Sequence, residues 1–283
     1  METIKQDKYT FKITSKINTK YNSNEINSIF YQIGGREDCI SLIVYYSAGV
    51  ASSACLPMVE YSDECVEGEI KLDRGGGTQH MLKALLRYIH TKHPTIKLVD
   101  FDDMSRIDCA TNVEISSAKN LRPRSLVKPI DLCRFSIAFN GCTWYEKYFN
   151  AKLTDASQHS RYRAAVDTLL SMPKPDINEL HAPSELHDKI HRYLQGATTI
   201  SDFFTAIPKT ERCEHARKWL LLFVGSKLGN NFSHNNWSIE LPVSHGMFGG
   251  AKKNNKSKRY YCPKGFKRIH YTQRQCIETS ENI

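Results

Sequence analysis

Asp73-Arg74-Gly75-Gly76-Gly77-Thr78 stands immediately before a run whose apolar residues Met81, Leu82, Leu85, Leu86 and Ile89 recur at helical spacing. Consecutive glycines let a backbone turn tightly and approach a ligand without a side chain in the way. The first N–H groups of a helix have no partner within it and carry partial positive charge. Glycine loop and helix start together make a cradle suited to a phosphate or pyrophosphate. The plainer alternative is a turn joining a strand to a helix, and this stretch alone does not choose between them. Thr78 is expected to cap the helix, and Lys92-His93-Pro94 to end it.

Working outward, Tyr9 to Ile17 alternates as a strand, and Cys39 to Tyr46 is a β-branched and aromatic run fit for a buried strand. Ala51 to Tyr61 reads as the next strand, with Pro57 marking an edge or a bulge. Glu67 to Leu72 reads as a short strand entering the glycines, and Ile96 to Phe101 as the strand after the helix. Asn18 to Asn27 reads as a loop or a weak helix. Residues 110 to 129 are irregular, and a second helix is expected to begin near Asp131 or Gly141 and end near Asn150. Past residue 156 the pattern turns helical, over His159 to Met172, Ser184 to Leu194 and Glu211 to Lys227. The expected fold is α/β (α+β), a mixed central sheet with flanking helices and a mainly helical extension. The expected segments are 1–155, 156–245 and a mobile basic tail over 246–283.

The chain has 283 residues, 40% of them hydrophobic, enough for a buried core. No apolar run reaches membrane-spanning length, and the first residues lack a basic-then-apolar leader, so an intracellular, cytoplasmic protein without membrane contact is expected. Nine cysteines, an odd number with no CxxC pair, point to free thiols in a reducing compartment rather than to a disulfide framework. The net charge of +9 is matched by nine Lys and Arg between residues 252 and 274, where no Asp or Glu occurs. Contact with nucleic acid or a protein partner is therefore expected of that segment and not of the body. Its cations interleave with Tyr260, Tyr261, Phe266 and Tyr271, as suits phosphate neutralisation with base stacking.

The second distinctive stretch is Gly141-Cys142-Thr143-Trp144-Tyr145-Glu146-Lys147-Tyr148-Phe149-Asn150-Ala151. It resembles the late helix of the GNAT acyltransferase superfamily, which carries a tyrosine in a leucine-tyrosine-glutamate-lysine type pattern. The order of strands, glycine loop, helix, strand and tyrosine helix over roughly residues 30 to 155 is similar too. Divergent GNAT-like proteins of large DNA viruses show the same pairing, and for a viral chain the expected place is the host cytoplasm or the virion. The resemblance implies a GNAT-like fold, acetyl-CoA as cofactor and transfer of an acetyl group to an amine. Arg74, Gly75, Gly76, Gly77 and Thr78 would hold the CoA pyrophosphate. With Gly75 and Gly77 as the loop glycines, Leu72 stands where the family usually carries Arg or Gln; with Arg74 in that place, Gln79 stands where the family carries Gly or Ala. That departure favours the alternative of an inactive GNAT-like scaffold or virion-associated protein.

Direct acyl transfer needs an amine relieved of its proton, a stabilised oxyanion and a proton for the departing thiolate. Tyr145 is the candidate acid, since a phenol with pKa about 10 holds its proton at neutral pH; otherwise it is a packed aromatic of its helix. Asp100, Asp102 and Asp103 cluster at a strand end, and Asp102 is the candidate base, against the alternative of a solvated turn. No His or Cys lies beside them at a metal-diagnostic spacing, so no metal site is expected. Cys109 and Cys142 are expected to be inert thiols. Cys213, His215, Cys262, His270 and Cys276 match no standard zinc spacing.

Overall fold

The computed structural model describes residues 1–19, 25–73, 76–107 and 129–243, and the backbone of 266–268 and 276–278. Residues Met1–Ser244 form one compact unit and His245–Ile283 a second.

The first unit begins with an antiparallel meander of β1 (Glu2–Gln6), β2 (Tyr9–Thr19), β3 (Ile26–Gly34), β4 (Asp38–Ser47) and β5 (Val50–Val59). Alternation builds its inner face: Tyr9, Phe11 and Ile13 of β2, Ile29, Tyr31 and Ile33 of β3, and Ile40, Leu42 and Val44 of β4 are all buried. Ala48 and Gly49, both at positive φ, close the β4–β5 hairpin, as a two-residue turn of matching twist requires. Helix α1 (Gly77–Lys92) then lays Met81, Leu82, Leu85, Leu86 and Ile89 inward and packs on β1, β2 and β3. Strand β6 (Leu98–Phe101) returns parallel to β5.

A short pair, β7 (Arg106–Ile107) with β8 (Ile130–Asp131), leads to α2 (Leu132–Asn140), α3 (Trp144–Phe149) and β9 (Lys152–Leu153). The helical region follows: α4 (Ala156–Ser171), α5 (His187–Gln195), α6 (Ile200–Ala206), and α7 (Arg212–His215), which continues through a π turn at Ala216–Leu220 into α8 (Leu221–Leu228). Side-chain oxygens start four of these helices. Asp131 caps α2, Asp155 caps α4, and capping boxes pair Thr143 with Glu146 on α3 and Thr199 with Asp202 on α6. Trp219 stacks on Phe203 with ring centres 5.8 Å apart at the heart of this region.

Strand β10 (Trp237–Glu240) then enters the sheet between β6 and β9, giving the order β1-β2-β3-β4-β5-β6-β10-β9. Its Trp237 packs edge-on against Tyr162 of α4 at 5.6 Å, so sheet and helices share one core. An inner strand of the sheet thus lies within the 156–245 span that the sequence reads as helical. In the second unit β11 (Phe266–Arg268) pairs antiparallel with β12 (Cys276–Glu278). The rest of the basic 252–274 run lies outside the described residues.

The structure corrects three expectations in the first unit. Gly76, not Thr78, is the N-cap of α1. Glu67 to Leu72 is not a strand: the Glu67 N–H goes to Thr10 O and the Leu72 N–H to Asp63 O, so the segment folds back on itself and on β2. Cys39 and Cys65 form a disulfide that ties this segment to the start of β4, and Cys213 is also disulfide-bonded, so the thiols are not all free. Cys55, Cys133 and Cys142 are free. Among the described residues no helix is long and apolar enough to cross a membrane.

Candidate functional site

Two places at the sheet bear on function. The first is the start of α1. Strand directions put Tyr9, Gly34, Asp38 and Val59 at one end of the sheet, and Lys8 and Tyr9 reach Asp73 there. Helix α1 therefore begins at the end where β5 and β6 finish, the usual ligand side of parallel strands. No side chain caps Gly76, and the first turn carries no acidic residue, so the helix start keeps its positive character. The Gly77 N–H is spent on Asp73 O at 2.8 Å. Gly77 itself is buried, and a Cβ there would run into the Leu72 side chain. Gly76 is exposed and has open space beside it. Around this corner, Lys8 pairs with Asp73 at 2.7 Å and His80 with Asp7 at 2.6 Å. Of the five residues expected to hold a pyrophosphate, Gly76 and Thr78 stand at the open helix start and Gly77 packs beneath it. Arg74 and Gly75 lie outside the described residues.

Nearby, β5 and β6 are in register at a single pair, Cys55 with Asp100. Beyond it β5 runs on through Leu56 to Val59, while β6 ends at Phe101. The two strands share too short a ladder to close the sheet along their length.

The second place is the turn after β6. Asp102 is exposed and accepts the Asn236 N–H at 3.0 Å, so it anchors the lead-in to β10. Asp103 is the buried member, only 1% exposed. Its Oδ1 accepts the N–H of Ser105 at 3.3 Å and the Ser105 hydroxyl, while Oδ2 has no partner among the described residues. The Asp103 N–H donates to His234 O at 2.6 Å, and the Asp103 carbonyl faces His234 Nδ1 at 2.9 Å and Cys133 Sγ at 3.3 Å. Burial pushes the Asp103 carboxyl up from its ordinary pKa.

Tyr145 is 5% exposed. Its ring lies 4.5 Å from Phe101 and 4.9 Å from Trp144, measured between ring centres. Burial, and then the charges of Asp103 and Cys133, push its phenol well above the ordinary tyrosine value. Of the strand-end carboxylates, Asp103 is the one whose charge bears on the Tyr145 phenol. Glu146, next in sequence, takes the Thr143 N–H at 2.7 Å and the Tyr162 hydroxyl at 2.6 Å, locking α3 to α4.

The fold also gathers residues that the sequence keeps apart. Asp131, Cys133 and His234 bring one ligand atom each within 4.8 Å of one another. His234 has no counterpart in the sequence reading, because it comes from the segment entering β10. The adjacency of Asp131 and Cys133 is visible in the sequence, but the third member depends on where β10 inserts. No family model, curated protein or solved structure matches the chain.

Proposed function

We propose that the chain is a GNAT-like N-acyltransferase that passes an acetyl group from acetyl-CoA to an amine. The observation that carries this reading is that β5 and β6 match at one pair only, near the end of the sheet where α1 starts uncapped. The CoA pyrophosphate takes the open amides around Gly76 and Thr78, with Lys8 close by, and the acyl arm enters between the two strands. Tyr145, kept protonated by its burial, gives its proton to the departing thiolate. Asp102 is exposed at the end of β6 and serves as base through a water.

One observation favours a second reading, an inactive GNAT-like scaffold or virion-associated protein whose basic 252–274 segment engages nucleic acid or a protein. Tyr145 is packed among Phe101, Trp144 and Phe149 at 5% exposure, which suits a core aromatic better than a group that meets a cofactor. Turnover separates the readings. CoA release is followed with a panel of alkylamines, lysine peptides and protein N-termini. Acyl transfer predicts release with at least one amine and a loss of about a hundredfold on Tyr145→Phe, with acetyl-CoA affinity kept. No release with any amine leaves the scaffold. Release that Tyr145→Phe does not slow clears the phenol of the role.

A further inference from the structure

The cluster of Asp131, Cys133 and His234 is unused by the reading above and independent of it. Two of its members come from one junction: Asp131 ends β8 and caps α2, and Cys133 sits in the first turn of that helix. The third comes from the segment entering β10, which is held down at His234 and just after it. The His234 carbonyl accepts the Asp103 N–H at 2.6 Å, and the Asn236 N–H reaches Asp102 Oδ1 at 3.0 Å.

The donor atoms are oriented as ligands. Asp131 spends Oδ1 on the Arg134 N–H at 3.1 Å, which leaves Oδ2 facing His234 Nε2 at 3.5 Å. His234 Nδ1 sits 2.9 Å from the Asp103 carbonyl, which can only accept, so Nδ1 carries a hydrogen and Nε2 is the ring nitrogen left to take a metal. A ring nitrogen held by a backbone carbonyl while the other faces a carboxylate and a thiol is the outer-shell arrangement that fixes a metal-binding histidine. Cys133 is 1% exposed, with its sulfur directed at the same carbonyl.

A second observation points to a cation. Asp103, also 1% exposed, leaves Oδ2 without a partner among the described residues, next to His234 and Cys133. A buried carboxylate oxygen in that position is a cost that a neighbouring positive ion offsets.

We propose that Asp131, Cys133 and His234 bind one zinc ion through Oδ2, Sγ and Nε2. The donor set chooses the metal. Thiolate with imidazole and one carboxylate suits zinc and excludes magnesium and calcium, which take oxygen ligands. On binding, the Cys133 thiol releases its proton to solvent and the sulfur bonds the metal, while the Asp103 carbonyl keeps the His234 N–H. The formal charges of the ligands balance: thiolate and Asp131 carboxylate against the dication, with the Arg134 Nε 3.6 Å from Asp131 Oδ2. The ion joins the end of β6, the start of α2 and the entry to β10, which hydrogen bonds of Asp102, Asp103 and Cys133 already bring together.

Cobalt(II) titrated into the full-length chain, without reductant and under anaerobic conditions, tests the site. The expected result is saturation at one equivalent with a thiolate-to-cobalt charge-transfer band, bleached by added zinc. Cys133→Ser removes the band, and Cys55→Ser and Cys142→Ser leave it. His234→Gln, a change at a partly exposed position, weakens cobalt by about tenfold or more. No band in the unsubstituted chain, a band that survives Cys133→Ser, or unchanged affinity in His234→Gln overturns the proposal. Should Cys133→Ser fail to fold, the His234→Gln titration decides alone.

Discussion

Cys55 and Asp100 are the one pair of residues in register where β5 runs parallel to β6. Paired residues of a ladder project to the same face, so the thiol and the carboxylate mark the one place where the two strands are matched. Cys55 is free and partly exposed, which makes it a reporter for whatever enters there. Saturating acetyl-CoA is expected to slow alkylation of Cys55 several-fold while the rate at Cys142 stays constant. Mass-spectrometric footprinting reads both sites at once. Equal rates at Cys55 with and without the cofactor place any bound CoA elsewhere.

The glycine corner predicts two opposite outcomes for neighbouring residues. Gly76 sits at negative φ with open space around the position of a Cβ, so Gly76→Ala folds with wild-type stability. Gly77 lies under the Leu72 side chain, and Gly77→Ala forces that side chain aside in a packed place. The expected loss is about 1–3 kcal/mol. Denaturant midpoints of the two variants check this, and equal midpoints would contradict the packing described.

The parts that the sequence made legible are those whose pattern is local. The apolar spacing of Met81 to Ile89 reads directly as α1, and the three helical stretches past residue 156 appear close to their expected places. The alternation of Tyr9, Phe11 and Ile13 reads as β2. Two kinds of feature escaped. Short strands such as Lys152–Leu153 and Trp237–Glu240 carry too few residues to show a period, yet they set the order of the sheet. Contacts between distant segments, the Cys39–Cys65 bond and the meeting of His234 with Asp131, exist only once the chain is folded. Thr78 looked like a cap because of its side chain, but Gly77 has to enter the helix to fit beneath Leu72.

The disulfide predicts a measurable loss. Cys39 and Cys65 are 26 residues apart, and closing a loop of that size restricts the unfolded chain by about 3.5 kcal/mol in the chain-entropy description. Cys39→Ser is expected to lower unfolding stability by about that amount, and mass analysis without reductant is expected to find residues 39 and 65 in one cross-linked peptide. Free, alkylatable thiols at both positions would contradict the bond.

Stability should fall on acidification. His93 is buried between Tyr31, 2.7 Å from its Nε2, and Tyr46, 3.2 Å from its Nδ1. Burial, with Lys92 adding to it, holds its pKa below the ordinary histidine value. Burial lowers His159 and His215 as well. A histidine lowered in the folded state binds its proton more readily when unfolded. Its contribution is therefore complete above the unfolded pKa of about 6.5 and is lost as pH drops through that value toward the folded one. Thermal melts are expected to shift downward below about pH 6.5, and less steeply in His93→Gln. A melting temperature that stays constant or rises over that range would contradict the assignment.

Calorimetric titration of acetyl-CoA into the full-length chain tests the central claim most directly. An acyl-CoA cleft between β5 and β6 predicts saturable binding at one site per chain, competed by CoA and not by acetate. Absence of binding heat at several temperatures, with the chain shown to be folded, would contradict it.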